Sequence, residues 1–345
     1  MVLKKLGFAG GLLAASISVA SAASWEPLPE KAPVPEDNPM TEAKIELGKQ
    51  LYFDPRLSAT GTVSCNSCHN VMLGGDDNRA VSVGVEGQLG TRSAPTVWNS
   101  AFYSSQFWDG REPTLEAQAK GPIINPVEMG MDAHDLAVEN VRSVPGYQQS
   151  FKEVFGEDSI NIDTIVKAIA AYERTLITPN SPYDRYVKGD KEAMTDQQVR
   201  GMETFASVGC ASCHSGPNFS GPDMPKGKGF FAKFPTFPGT QYDEAYNLLD
   251  DKGRAEATGK ESDKYMWKVP TLRNVELTAP YMHNGSVKTL EEAVRVMAKT
   301  QLNQDLETQQ VKDIVAFMSA LTGEFPEQKM PRLPGTSGYS LMEGK

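Results

Sequence analysis

Apolar positions along the chain fall into helical stripes separated by long stretches rich in glycine, proline and polar residues. Ile162, Ile165, Val166, Ile169, Tyr172 and Leu176 recur at i, i+3, i+4 spacing and predict an amphipathic helix. Shorter stripes predict helices around 115–120 and 135–142. Thr41 is placed to cap a helix with Leu47 and Leu51 on one face. Thr195 and Gln198 have capping-box spacing, and Val199, Met202 and Phe205 follow on one face. Two more helices are expected near 289–299 and 307–321. Residues 23–40, punctuated by five prolines, read as an extended lead-in, and 74–95 and 215–260 read as irregular loop. Pro179 and Pro182 break the pattern and mark a boundary between two halves. Each half has the same rough plan of helix, cysteine motif, long loop and further helices, but the halves are too dissimilar to be called a sequence repeat. Strand periodicity is weak throughout, so the chain is expected to be mainly α.

The first residues carry a different pattern. Lys4 and Lys5 precede an apolar stretch over 6–20, and Ala20, Ser21 and Ala22 fit the small-residue cleavage pattern of a secretory leader. The stretch is short for a membrane span and lacks a stop-transfer flank. The expectation is a signal peptide over 1–22, an exported mature chain with no membrane span, and two domains over 23–178 and 183–345. The net charge of −10 becomes −12 when the two leader lysines are removed, because no acid leaves with them. Such an acidic chain is a poor nucleic-acid binder and could attract a basic protein.

All four cysteines lie in two CxxCH motifs, Cys65-Asn66-Ser67-Cys68-His69 and Cys210-Ala211-Ser212-Cys213-His214. This is the c-type haem attachment pattern: two thiols add to the vinyl groups of haem, and the adjacent histidine reaches the iron from one face. Local disulfides or a Cys₄ zinc site would use CxxC pairs, but neither asks for a histidine directly after each. The sixth iron positions then decide function. A His/Met haem has a raised potential suited to electron transfer, while an open position can bind a small molecule.

Four further motifs set the family. They are Gln106-Phe107-Trp108-Asp109-Gly110-Arg111, the stretch from Glu116 through Gln118 to Pro122, Val127-Glu128-Met129, and the run from Val269-Pro270-Thr271-Leu272-Arg273-Asn274 to Tyr281-Met282-His283-Asn284-Gly285. With two CxxCH motifs in this order, the mature chain resembles the bacterial dihaem cytochrome c peroxidases. The resemblance implies two cytochrome c-like haem domains with long irregular loops. It also implies reduction of hydrogen peroxide with electrons from a small cytochrome c or cupredoxin, and a periplasmic homodimer. The haem on His69 would be the low-potential, peroxidatic one. The haem on His214 would be the high-potential one, with Met297 as its second axial ligand. Glu128 matches the acid–base residue, Gln118 its partner, and Trp108 the tryptophan between the haems. A carboxylate in the distal pocket can take a proton from peroxide and return it to the departing oxygen. Ser93, Thr278 and Pro280 match the protein ligands of a calcium ion, with serine where the family usually has asparagine. The segment from about 323 would pack back on the first domain.

The chain departs from the family at one telling place. Many members carry a histidine in the loop after the first motif, which occupies the sixth position of the peroxidatic iron until the other haem is reduced. This chain has Val85 there, and valine cannot ligate iron. Of its four histidines, His69 and His214 are proximal and His283 belongs to the second half, which leaves His134, a surface histidine near a helix start or a substitute ligand. The expectation is an enzyme that needs no reductive activation. Two other functions fit parts of the pattern. A related dihaem enzyme that oxidises a protein substrate would have tyrosine in place of Met297, and a dihaem electron carrier would need both irons firmly six-coordinate.

Overall fold

The computed structural model describes residues 25–336, so the expected leader over 1–22 and its cleavage after Ala22 lie outside the described residues. Helix dominates, as the stripes predict. In chain order the helices are α1 (Glu42–Phe53), the single turn α2 (Cys65–Cys68), α3 (Leu115–Ile124), α4 (His134–Arg142), α5 (Pro145–Phe155), α6 (Ile162–Glu173), α7 (Pro182–Val187), α8 (Asp196–Ser207), α9 (Gln241–Ala245), α10 (Arg254–Thr258), α11 (Leu290–Leu302) and α12 (Thr308–Ser319). One antiparallel ribbon pairs β1 (Phe231–Lys233) with β2 (Met266–Lys268). Among the described residues no helix is long and apolar enough to cross a membrane.

Two local expectations are corrected, over 215–260 and at Leu176. The break read over 178–182 falls between α6 and α7, with Ser181 capping α7. The Ser181 hydroxyl accepts the Asp184 N–H at 3.1 Å, and Pro182 sits in the first turn, where no N–H is needed. The stretch 215–260, read as loop, contains β1, α9 and α10. Leu176 extends the apolar stripe but lies beyond the end of α6, buried in the first core.

Each half is built on one close helix crossing. In the first, α1 packs across α6 with Gly48 at the contact: a Cβ there would lie 1.8 Å from the Ala168 carbonyl oxygen. In the second, α8 packs across α12 with Gly201 at the contact, where a Cβ would lie 1.9 Å from the Asp313 carbonyl oxygen. Only glycine lets two helix backbones approach so closely. Leu47, Leu51, Ile165 and Tyr172 fill the first core beside its crossing, and Phe205, Phe219, Ile314 and Phe317 the second. A third, smaller core gathers Phe234, Trp267 and Val296, with Trp108 and Met297 packed against it.

A longer shared unit follows the histidine of each CxxCH motif. In the first half Thr96 Oγ1 accepts the Trp98 N–H; in the second Thr271 Oγ1 accepts the Arg273 N–H. Asn99 and Asn274 then adopt left-handed φ of 64° and 59° and open short 3-10 turns. Gln106 bridges Glu112, and Tyr281 bridges Val287, around tight turns. Within them Phe107 and Met282 have φ of 69° and 72°, and Gly110 and Gly285 have φ of 61° and 60°. Thr114 caps α3 and Thr289 caps α11 through the same side-chain acceptor. One constant offset relates every one of these pairs. In that register Trp108 answers to His283, Gln118 to Ala293 and Pro122 to Met297.

Residues 325–334 run back over the first half. Phe325 meets Trp98 edge-on at 4.8 Å between ring centroids, Gln328 accepts from the Tyr172 hydroxyl, and the Pro334 carbonyl accepts from Arg56 Nη1 at 3.0 Å.

Candidate active site

The single turn α2 presents Cys65 and Cys68 to a cavity of about 440 Å³. None of the four thiols is paired with another. His69, just after the turn, lines the same cavity, with Nδ1 2.9 Å from the Pro95 carbonyl oxygen. A carbonyl can only accept, so Nδ1 carries the proton and Nε2 keeps its lone pair. Burial lowers the imidazole's proton affinity, which favours this neutral form. His214 repeats the arrangement, with Nδ1 3.1 Å from the Phe219 carbonyl oxygen. Two thiols plus an imidazole locked with Nε2 free, on the wall of a cavity of this size, fit a covalently held haem.

The opposite wall comes from α3 and the turn after it. Leu115, Gln118, Ala119 and Pro122 lie at i, i+3, i+4 and i+7 and all line the cavity. After α3, Asn125 organises the chain: its Oδ1 accepts the Val127 N–H and its carbonyl accepts the Glu128 and Gly130 N–H groups. Its amide donates to Glu128 Oε1 at 3.0 Å. Burial raises the Glu128 carboxyl above its ordinary value, opposed by the Arg111 guanidinium. Arg111 lies over the Phe107 ring, 3.4 Å from its centroid, and pairs with Asp109 at 2.7 Å. Trp108 lines the cavity, donates from Nε1 to the Ser93 carbonyl at 2.8 Å, and touches the third core, where Met297 also packs.

The loop holding Val85 is fixed to this wall. Val85 N–H donates to the Glu128 carbonyl at 3.0 Å, its side chain is buried in the first core against Gly130, and it does not line the cavity. His134 Nε2 lies 2.9 Å from the Lys120 carbonyl, on the outer side of α3. His283 stacks on Trp267 with centroids 4.2 Å apart, and burial pushes it down to about 4. Among the described residues, His69 is thus the histidine that lines this cavity.

The residues matched to calcium sit at the seam between the halves. Ser93 is buried, and its N–H donates to the His283 carbonyl. Thr278 and Pro280 lie on a loop that Asn78 grips through the Leu277 and Ala279 carbonyls. Among the described residues no three His, Cys, Asp or Glu side chains group to hold a metal ion.

Several features of the site have no signal in the sequence. Glu173, on α6, lines the cavity with Oε2 buried and unpartnered, and burial raises its carboxyl to about 8. Glu256 and Ala257 of α10 reach over from the second half to complete the lining. Arg92 ties them there, bonded to Asp109 at 2.7 Å and Asp251 at 2.6 Å and facing Glu256 at 3.5 Å. Lys268 is buried with its ammonium over the Tyr103 ring, and desolvation pushes it down to about 7. The Asn125 turn had a local signal, an Asn-Pro step, which marks a turn without revealing its grip on Glu128.

A fold of two helix-crossing halves, each carrying a CxxCH motif and an oriented histidine, defines a dihaem c-type protein. The family model for di-haem cytochrome c peroxidase matches residues 42–192. The chain is 45% identical to the cytochrome c551 peroxidase of Nitrosomonas europaea, across 90% of this chain and 89% of that one. It is 42% identical to the Pseudomonas aeruginosa cytochrome c551 peroxidase, across 92% and 89%. The methylamine utilization protein MauG of Methylorubrum extorquens is 34% identical, across 89% and 86%. A solved MauG-like protein associated with microbial copper homeostasis superimposes with a TM-score of 0.75 at 30% identity, covering 88% of this chain and 96% of that one. The chain belongs to the dihaem cytochrome c peroxidase family and is a peroxidase carrying two haems.

Proposed function

We propose that this chain reduces hydrogen peroxide to water in the first cavity, with electrons from a small cytochrome c or cupredoxin entering through a haem on Cys210, Cys213 and His214. The cavity carries the reading. Its near wall holds two thiols and an imidazole with Nε2 free, and its far wall holds a half-buried carboxyl and an amide. Bound haem supplies the iron at which the oxygen–oxygen bond is cleaved and a store for electrons. Glu128 takes the proton from one peroxide oxygen and returns it to the departing one, a role helped by a carboxyl lifted towards neutrality. Asn125 fixes Glu128 Oε1, and Gln118 orients peroxide through its amide. The Pro95 carbonyl keeps His69 aimed at the cavity. Met297 would hold the iron of the second haem beside His214, and Trp108 would lie on the electron path between the halves.

The remaining parts of this reading are a periplasmic location after leader removal, a homodimer, the two-domain division at 178–183, and a calcium ion on Ser93, Thr278 and Pro280. The Ser93 hydroxyl reaches less far than an asparagine amide, so water completes that side.

Val85 supports a constitutively open first haem. Its side chain is committed to the core, and His134 and His283 are engaged elsewhere. The fully oxidised enzyme should therefore oxidise ferrocytochrome c on peroxide addition without lag, at the rate of a half-reduced sample. Glu128→Gln should lower that rate by roughly a hundredfold or more. Turnover only after pre-reduction would reject the open haem and keep the peroxidase. A protein-oxidising role is disfavoured by a methionine at position 297, where the resemblance implies tyrosine for such enzymes.

A further inference from the structure

The lead-in precedes the first half in the chain but packs on the second. Trp25 enters the second core, its ring centroid 6.2 Å from that of Phe219, 6.2 Å from Tyr183 and 6.0 Å from Phe317. The Glu26 carbonyl accepts the Tyr183 hydroxyl at 3.2 Å. Leu28 is buried, and its N–H donates to Asp184 Oδ1 at 2.9 Å. Residues 325–334 make the reverse crossing, from the second half onto the first.

The contacts of Trp25 and Leu28 both lead to the loop that orients His214. Phe219, whose carbonyl accepts from His214 Nδ1, is buried and has φ of 51°. A bulky residue keeps a left-handed backbone only where its surroundings over-determine it. Two braces do so here. One is apolar: Trp25 packs on the Phe219 ring. The other is charged: Asp184, which accepts from Leu28, pairs with Arg273 at 2.8 Å, and neither side chain is exposed. Arg273 donates from Nε and Nη2 to the Pro217 carbonyl at 2.9 and 2.7 Å and lies over the Phe219 ring. The Pro270 carbonyl is the other backbone acceptor at His214, and its neighbour Thr271 donates to the Asn218 carbonyl at 2.6 Å. The acceptors of the His214 ring thus share one braced loop.

We propose that Trp25 is a positioning residue for the second haem: by bracing Phe219 it fixes the carbonyl that orients His214, and so tunes the iron that His214 would hold. Leu28 acts on the same loop through Asp184 and Arg273. The proposal rests on the reading of His214 as an iron ligand and not on the identity of the electron donor.

A carbonyl on Nδ1–H makes an imidazole a stronger donor to its metal, which favours ferric iron. Loosening Phe219 weakens that bond and should raise the potential of the second haem. The test is a redox titration of wild-type, Trp25→Phe and Trp25→Leu holoproteins, each haem followed by absorption and EPR, with thermal melting alongside. Trp25→Leu should increase the reduction constant of the second haem about tenfold, or about 59 mV for one electron, and leave the first haem unchanged. Trp25→Phe keeps a smaller ring and should shift it the same way by about threefold. That variant decides the question where Trp25→Leu does not hold its haems. A lowered melting temperature with the second haem's potential unchanged or lowered would make Trp25 a core residue only and overturn the proposal. Equal shifts at both haems would overturn it too. Peroxide turnover of the wild type is measured separately: its absence strikes the peroxidase reading, while the potential of the second haem still decides this proposal.

Discussion

Glu173 sits where an ionised carboxylate would face apolar walls, one oxygen unpartnered, and the protein keeps it protonated to about pH 8. The unfolded chain releases that proton near pH 4.3. Between these values the folded state binds the extra proton, so stability falls as pH rises. The contribution is whole below the unfolded pKa and lost as pH passes through the folded one. Glu173→Gln should remove this slope. Denaturant unfolding at pH 5, 7 and 9 should show the variant gaining on wild type by a few kcal/mol towards pH 9. A gap that does not change with pH would mean that Glu173 titrates as an ordinary glutamate. At this scale the sequence was most legible where chemistry forces residue identity, as in the two CxxCH motifs. It was silent on Glu173 and Lys268, because burial depends on neighbours far away in the chain.

At the scale of elements, the two halves rest on crossings that leave no room for a side chain. Gly48→Val would drive a branched side chain into the Ala168 carbonyl, and Gly201→Val would do the same at Asp313. Each should lower unfolding free energy by about 3 kcal/mol or more, since overpacking and helix separation act together. Haem-sensitive circular dichroism should locate the damage: the spectrum of the first haem for Gly48→Val, the second for Gly201→Val. Helix caps at Thr41 and Thr195 were legible because a short polar side chain before an apolar stripe has one local use. The internal correspondence was not. The pairs that match, such as Asn99 with Asn274 and Gly110 with Gly285, are those demanded by left-handed backbone. The rest diverged because one stripe lines a cavity and the other joins a core. Pro182 was legible as a break, and the structure adds that a proline following one pattern also suits the first turn of the next helix.

Across the whole molecule, Arg92 holds the second half over the first cavity. It stands between Asp109, nearly buried, and Asp251, with Glu256 at the rim. Arg92→Met should leave those acids facing one another, with only the exposed Arg111 remaining on Asp109. Loss of a partly buried pair costs about 3 kcal/mol. The variant should melt at lower temperature, and limited proteolysis should cut first around residues 251–258. A normal melting profile would show that the seam is held by packing rather than by charge.

The cavity's walls are also spread unevenly through the chain. Cys65, Cys68 and His69 lie near its start, whereas Ala257 on the lining and Pro334 on the outer strap come far later. Synthesis runs in that direction, so the first motif is made long before its cover. A chain ending before α10 would lack Glu256 and Ala257, and that side of the cavity would stand open to solvent.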